Sequence, residues 1–582
     1  MHLKKGINVR DNTLLLAEDQ QSPDVAVSDD SPLIPKELSS IVAATVPALA
    51  LAACGGGDSS PTASAPPPSP PPPAPPPPPT GVQSGRFLAQ ATMGATKADI
   101  TALQSSTYDA WLTTQFAIPR ATSHWDWLVA QGYRDPVNLI SEAGFDATVW
   151  RQAIIGQDQL RQRVGLSLLD FLVIGIDGLL TWRGFAAAAY FDVLLDNAFG
   201  NFRDLIEKIT LNAGMGSYLT FVNNRKADTI VGSQPDENYA RELMQLFTIG
   251  LVKLNADATV QTTGGKPDES YKPEDVSGLA RVFTGFVLDS SDRTTPDRLR
   301  RPMVQRASDH ELGAKTFLGV TIPAGTDGIA SLKIALDTIF AHPNVPPFVS
   351  KQLIQRLVTS NPSTAYVGRV SAVFANNGSG VRGDMKAVIR AILLDNEARS
   401  DAGLTNPSFG KLREPVVRLT NWARAFGVTS ASDAWAFGNT TSTANRLGQS
   451  IGHSPSVFNF FRPGYSPPNT SISASNLVGP EFQITNEPSV VAYVNYMQSL
   501  IQNGAGDAKA NYTEILTKAS DSQALVDEVN LVLAAGQLSA ATITTIKTAV
   551  DTISFTGTNG PINRVYAAIL LVIAAPEYIA QK

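Results

Sequence analysis

Cysteine is almost absent from this chain: Cys54 is the only one in 582 residues. No disulfide can close within the chain, and no thiolate cluster can hold zinc or an iron–sulfur centre. An excess of positive charge is missing as well. Lys and Arg number 46 against 52 Asp and Glu, giving a net charge of −6 and a pI near 5.5. With no basic run either, a nucleic-acid partner is not expected. Signatures of bound groups are also lacking. Gly313-Ala-Lys315-Thr316 lacks the upstream glycine of a phosphate-binding loop, and no G-x-G-x-x-G opens a helix after a strand. No cofactor is therefore expected. Neither H-E-x-x-H, E-x-x-H nor an EF-hand loop occurs, so no metal site is expected. A mixed set of Glu237, Glu242, Asp309 and His310 is conceivable only as ligands chosen from remote positions. Gly448-Gln-Ser450-Ile-Gly452 fits the pattern of a nucleophile elbow. It has no strand-like run before it and no acid between Ser450 and His453, so it reads as a chance match.

What is present begins with a composite N-terminus. Residues 1–35 are polar and show no core periodicity. Ile41–Ala53 is a short apolar run, too short to span a bilayer comfortably, and it ends in Leu51-Ala-Ala-Cys54-Gly55. This looks like a bacterial lipobox, and the chain's sole cysteine falls at the position that would be lipidated. The long acidic stretch ahead of it, including Asp29 and Asp30, is not a basic signal-peptide n-region. A true start downstream, at Val27 or Leu33, would remove that conflict; the alternative is an ordinary apolar segment with a chance cysteine. Residues 1–54 are thus read as a leader with a lipoprotein-type signal. Residues 55–84 read as a Gly/Ser/Pro-rich linker, in which 13 of the chain's 39 prolines lie between Pro61 and Pro79. Such a run is extended polyproline II, about 3.1 Å per residue and so about 40 Å long, and it cannot pack a core.

Residues 85–582 form the globular body. Hydrophobic residues make up 43% of the chain and charged ones 17%, which suits a large core. Helical periodicity dominates. Val149–Leu180 is long and apolar but interrupted by Asp158, Arg161, Arg163, Asp170 and Asp177, so it reads as a buried helix or helix pair. Pro273–Gly285, Phe348–Val358 and Met385–Leu393 each place apolar residues on one helical face. Strand signals are sparse. The fold class expected is mainly α, one large multi-helix body with long ordered loops and at most small β-hairpins. Asn255–Tyr271, with Gly264-Gly265, reads as a hairpin or exposed loop. Residues 434–485, rich in Asn, Ser, Thr, Gly and Pro, read as a long ordered surface loop, with a possible sub-boundary at 427–487.

The densest polar pattern lies in Gln234–Gly250. Tyr239, Ala240, Leu243, Leu246, Phe247 and Gly250 share one helical arc; Glu237, Asn238, Arg241, Glu242 and Gln245 share the opposite one. Ser233 and Asp236 suggest a capping box, Pro235 a first turn, and Gly250 the position that ends the helix. The polar arc is either a solvated face with an i,i+4 ion pair or a cluster of carboxylates, guanidinium and amides lining a cleft.

Several segments together resemble a large, mostly exported bacterial family known as the domain of unknown function numbered eighteen hundred. They are Arg86–Gly94, Asp158–Arg163, Glu237–Gly250, Tyr271–Val276, Phe283–Gly285, His310–Gly319, Pro455–Phe460 and Ala575–Tyr578. The resemblance covers nearly the whole body in order. It implies export, often beside a second uncharacterised family that resembles sulfatases, and no known activity. Where a His-Pro pair is expected after Thr210-Leu211, this chain has Asn212-Ala213, which puts any histidine-dependent role there in doubt. Two functional expectations follow. One is a lipid-anchored envelope binding or assembly protein, its membrane contact the lipid on Cys54 and its partner an envelope protein or a polysaccharide. The other is a hydrolase acting on an envelope or extracellular polymer. Its catalytic candidates are Glu237 or Glu242 as acid/base, Arg241 as anion clamp, and His310; its binding candidates are Asn238, Glu274, Asp275 and Asp309.

Overall fold

Side-chain caps mark where the helices begin. The Thr80 hydroxyl accepts from the Gln83 N–H and Gln83 accepts from the Thr80 N–H, starting the Gly81–Ala91 helix. Residues 81–84, expected as linker, are therefore helical. The structure, a computed structural model, describes residues 77–120 and 122–582. The leader, Cys54 and the linker up to residue 76 lie outside those residues. Asp327, Ser363, Asp384, Asn486 and Asp521 cap later helices, each accepting from a backbone N–H of the first turn.

The fold is mainly α. Every sheet among the described residues is a two-stranded antiparallel ribbon. One of them, Thr262–Thr263 with Lys266–Pro267, turns at Gly264-Gly265, both at positive φ as a tight hairpin requires. Another pairs Ala580–Gln581 with Lys411–Leu412 and so brings the last residues against the middle of the chain. No helix among the described residues is long and apolar enough to cross a membrane.

The long apolar stretch after Phe145 is a helix pair, Phe145–Ile155 and Gln159–Leu169. The second member is the hub. It packs against Gly81–Ala91, Tyr108–Ala117, Arg183–Asp196 and Val345–Leu357. A side chain at Gly165 would meet the end of the Leu195 side chain at 2.3 Å, so any larger residue would force Leu195 to repack against Arg183–Asp196. One hydrophobic core runs from Phe87 to Tyr578.

Residues 434–485 differ from the surface loop expected. Trp435, Phe437, Leu447 and Ile451 are buried, and the Trp150 indole N–H donates to the Gly438 carbonyl at 3.0 Å. The segment satisfies polar groups from within: the Thr440 hydroxyl donates to the Gln449 carbonyl, and Arg446 to the carbonyls of Phe437 and Asn439. Internal satisfaction of this kind lets an irregular, polar stretch thread through a core.

The signature helix also differs. It begins at Asn238, where Asp236 accepts from the Asn238 N–H at 2.8 Å. Pro235 lies outside it. After Glu242 it widens into a π-helix, Leu243–Thr248, with the Ile249 N–H bonded to the Met244 carbonyl. Gly250, at φ +79°, ends it. Widening alters the angular step between residues. As a result Gln245 and Leu246, assigned by ideal spacing to opposite arcs, line one and the same hollow.

Candidate functional site

The polar residues singled out in the sequence do not gather. Arg241 donates to Glu237 at 2.9 Å on an open face, both side chains more than 40% exposed. Asn238 reaches Thr220 at 3.4 Å. Glu274 is exposed in the first turn of Pro273–Ala280. Asp275 is structural: its carboxylate accepts from the Lys272 N–H at 2.8 Å and from the Leu318 N–H at 2.7 Å, tying that helix to the next hairpin. Asp309 is held by Arg306 and Arg225; although burial works against it, they keep its pKa below the ordinary value.

His310 is buried, with Nδ1 2.9 Å from the Thr284 carbonyl, so Nδ1 carries the proton; burial pushes its pKa down. A side chain at Gly285 would meet Gln305, Arg306 and the His310 backbone within about 3 Å. The Phe283–Gly285 and His310 segments are therefore two halves of one structural clamp. Asn212, standing where a histidine was expected, caps Ala213–Tyr218 by accepting from the N–H groups of Gly214 and Met215. Glu242 alone keeps chemical interest. It is buried, its Oε2 has no hydrogen-bond partner, and burial pushes its carboxyl up to about 7 against the pull of Arg241.

The structure instead brings other parts of the resembling segments together. Gln245, Leu246 and Gly250 meet Val457 and Phe458 and the Val345–Leu357 helix around a hollow of about 240 Å³. A second hollow of about 580 Å³ adjoins it, sharing Gly250, Leu251, Phe348, Gln352 and Pro463, and continues past Val260 and Val478. The two make one open groove.

Beneath the groove lies a buried charge network. Arg163, Arg356 and Lys411 face Asp170, Glu414 and Glu481, all six less than 6% exposed. Lys411 Nζ lies 2.9 Å from Glu481 and 3.5 Å from Glu414, and donates to the Arg356 carbonyl at 2.8 Å. That carbonyl also receives Arg163 at 2.7 Å, and Arg163 approaches Glu414 at 3.8 Å. Gln449 donates to the other Glu414 oxygen at 2.9 Å. Burial opposes the Glu414 charge, but Lys411, Arg163 and the Gln449 bond prevail and hold its pKa below the ordinary value. Asp170 goes the other way. Burial, with the Glu414 charge added, pushes it well up, and only the side chain of Asn459, at 2.9 Å, bonds its carboxyl. Asp170 and Arg356 both line the groove floor. Sequence reasoning saw Asp170 and Arg163 only as interruptions of an apolar run. Their partners come from residues 356, 411–414 and 481, 186 or more positions away, and no local signal announces them.

One further trio could coordinate a cation among the described residues: Glu142, Asp146 and His453, whose donor atoms lie within 4.8 Å of one another. The hydrogen bonds argue against that use. Asn439 Oδ1 accepts from the Thr441 N–H and hydroxyl, which fixes its amide; its Nδ2 then donates to His453 Nδ1 at 3.1 Å. With Nδ1 accepting, Nε2 carries the proton and donates to Asp146 at 2.8 Å, leaving no lone pair for a metal. Both ring nitrogens are thereby used, so Ser450, 1% exposed with an unpartnered Oγ, has no histidine to activate it.

The arrangement defines a class: a mainly α-helical protein with an amide- and aliphatic-lined groove over a buried ion network, and without an assembled nucleophile–base pair among the described residues. The chain belongs to the family described as Protein of unknown function (DUF1800), which matches residues 86–580. No curated protein and no solved structure matches it.

Proposed function

We propose that this is a binding or assembly protein of the bacterial envelope, anchored through a lipid on Cys54, and that the groove between Gly250–Leu254, the Val345–Leu357 helix and residues 457–478 is its ligand site. One observation carries the reading. The residues that would serve a hydrolase are spread over separate surfaces and structural clamps, whereas two family-resembling segments, Glu237–Gly250 and Pro455–Phe460, meet at one concave surface. Open, partly apolar grooves with a few amides are ordinary recognition sites. A photo-crosslinking residue at position 251 of the full chain, expressed in its native cells, tests it. A discrete adduct that disappears with Phe458→Ala is expected; uniform background labelling counts against the groove. Cys54→Ser is expected to release the chain from the membrane fraction.

A second reading rests on Glu242 alone. A buried carboxyl near neutrality beside Tyr271 and Arg241 is the state a general acid needs. Hydrolysis of an envelope polymer by the full chain, abolished by Glu242→Gln, would support that reading over the first.

A further inference from the structure

We propose that the groove accepts an extended segment of a partner protein in which acidic residues alternate with aliphatic ones. The inference rests on the groove being a binding site, as proposed above, and adds what the site selects.

Charge is the first argument. The chain as a whole is negative, at −6, yet the groove is not. Lys351 and Arg462 line it, and neither has an ion-pair partner among the described residues. Arg462 lies over the Phe458 ring at 4.4 Å, so its guanidinium is presented on an aromatic shelf rather than neutralised. The Lys351 ammonium has its pKa lowered by burial, with no carboxylate to offset the effect. The sole carboxyl lining the groove is Asp170, whose charge burial opposes and which faces Arg356 and Lys411 beneath the floor.

Amide chemistry points the same way. Gln352 Oε1 is taken by Arg356 at 2.5 Å and Gln245 Oε1 by the Tyr271 hydroxyl at 3.5 Å. Their Nε2 groups bond nothing else in the described residues, so both glutamines offer donors. Several backbone carbonyls along the walls already accept a bond from within the chain, those of Leu251, Val252, Leu254, Pro463, Leu477 and Val478. A site that supplies donors suits ligand carbonyls and carboxylates.

The walls supply the rest. Leu251 is 57% exposed and Val260 45% exposed, and Val252, Leu254, Phe348 and Val478 continue the apolar strip. An extended peptide sends alternate side chains to opposite sides. Aliphatic residues would then lie on the strip while acidic ones reach Lys351 and Arg462.

Random dodecapeptides displayed on phage and selected on the immobilised full chain test the proposal, followed by affinity measurement on synthetic hits. Sequences alternating Asp or Glu with Leu, Ile or Val are expected. Leu251→Asp, a change at an exposed position, should abolish their binding. Lys351→Gln and Arg462→Gln should each weaken it about fivefold, and raising NaCl from about 50 to 500 mM should weaken it further. Neutral or basic hits that depend on Leu251 but not on the two cations would overturn the charge inference and leave the groove standing. Hits indifferent to Leu251→Asp, or no enrichment at all, would overturn both; so would tighter binding of polygalacturonate than of any peptide overturn the choice of a protein partner.

Discussion

The Glu237–Arg241 pair and the Arg163–Arg356–Lys411–Glu414–Glu481 group are built from the same side-chain types and stand in opposite solvents. The first lies in water on one helix, four residues apart. The second is assembled from four separate elements and excludes water almost completely. Coulomb attraction is weak in the first setting because water screens it. In the second it is strong, but each ion has lost its hydration, so the group holds only while complete. A pattern visible on one helix therefore says little about energetic weight, whereas the ions that fix the molecule's centre leave no local pattern.

The largest effect expected follows from that completeness. Glu414→Gln leaves Arg163 and Lys411 with one buried acid fewer and should destabilise the chain by about 3–5 kcal/mol, read from urea or thermal unfolding of the full chain. Asp170→Asn, in the same network, should cost less than about 1 kcal/mol. Burial already opposes the charge of this carboxyl, an amide is nearly isosteric with it, and the oxygen that accepts from Asn459 is retained. Equal losses at the two positions would break the distinction drawn between a buried acid whose charge its partners favour and one whose charge burial opposes.

The unequal legibility of the two regions has a physical origin. Caps and apolar periodicity are local, so a buried helix or helix pair within Val149–Leu180, a helix opening at Pro273 and a hairpin or exposed loop around Gly264-Gly265 could be read from the pattern. The π-helix could not: nothing in Leu243–Thr248 departs from ordinary helical composition, and the wider turn is fixed by what packs around it. Residues 434–485 looked like a surface loop because polar composition does not record whether polar groups are satisfied internally. For the candidate site, the Gln234–Gly250 stretch enters the groove through Gln245, Leu246 and Gly250. The charged residues that drew attention to it point elsewhere. Asp146 and His453, 307 positions apart, were not associated at all.

Glu242 sits between the two regimes and gives the intermediate effect. Its folded pKa, about 7, is above the ordinary 4.5. The unfolded chain therefore releases this proton at a lower pH than the folded chain does. Stability contributed at this position is unaffected below pH 4.5, falls as pH rises toward 7, and stays reduced above it. Its second oxygen is not sealed from water, so the loss is about 2 kcal/mol rather than the full value of the shift. Glu242→Gln should remove that loss: the variant should be more stable than the parent at pH 8 and equal to it at pH 5. A stability difference between parent and variant that does not change with pH would place Glu242 with the solvated residues.

The smallest effect is expected where the sequence pattern is strongest. The Glu237–Arg241 pair has good geometry, at 2.9 Å, and the i,i+4 order that suits the helix dipole. Exposure of both side chains nonetheless limits it to about 0.3–0.5 kcal/mol. A double-mutant cycle of Glu237→Ala and Arg241→Ala isolates the pair from the loss of each side chain's own packing. The coupling should vanish in about 1 M NaCl, where screening acts within about 3 Å. The Glu414–Lys411 coupling, measured in the same way, should persist, because salt cannot enter a site that water does not occupy. Coupling above about 1 kcal/mol at Glu237–Arg241 that resisted salt would mean that this face is covered in solution. The polar arc would then be an interface, and the contrast between the two regions would fail at its exposed end.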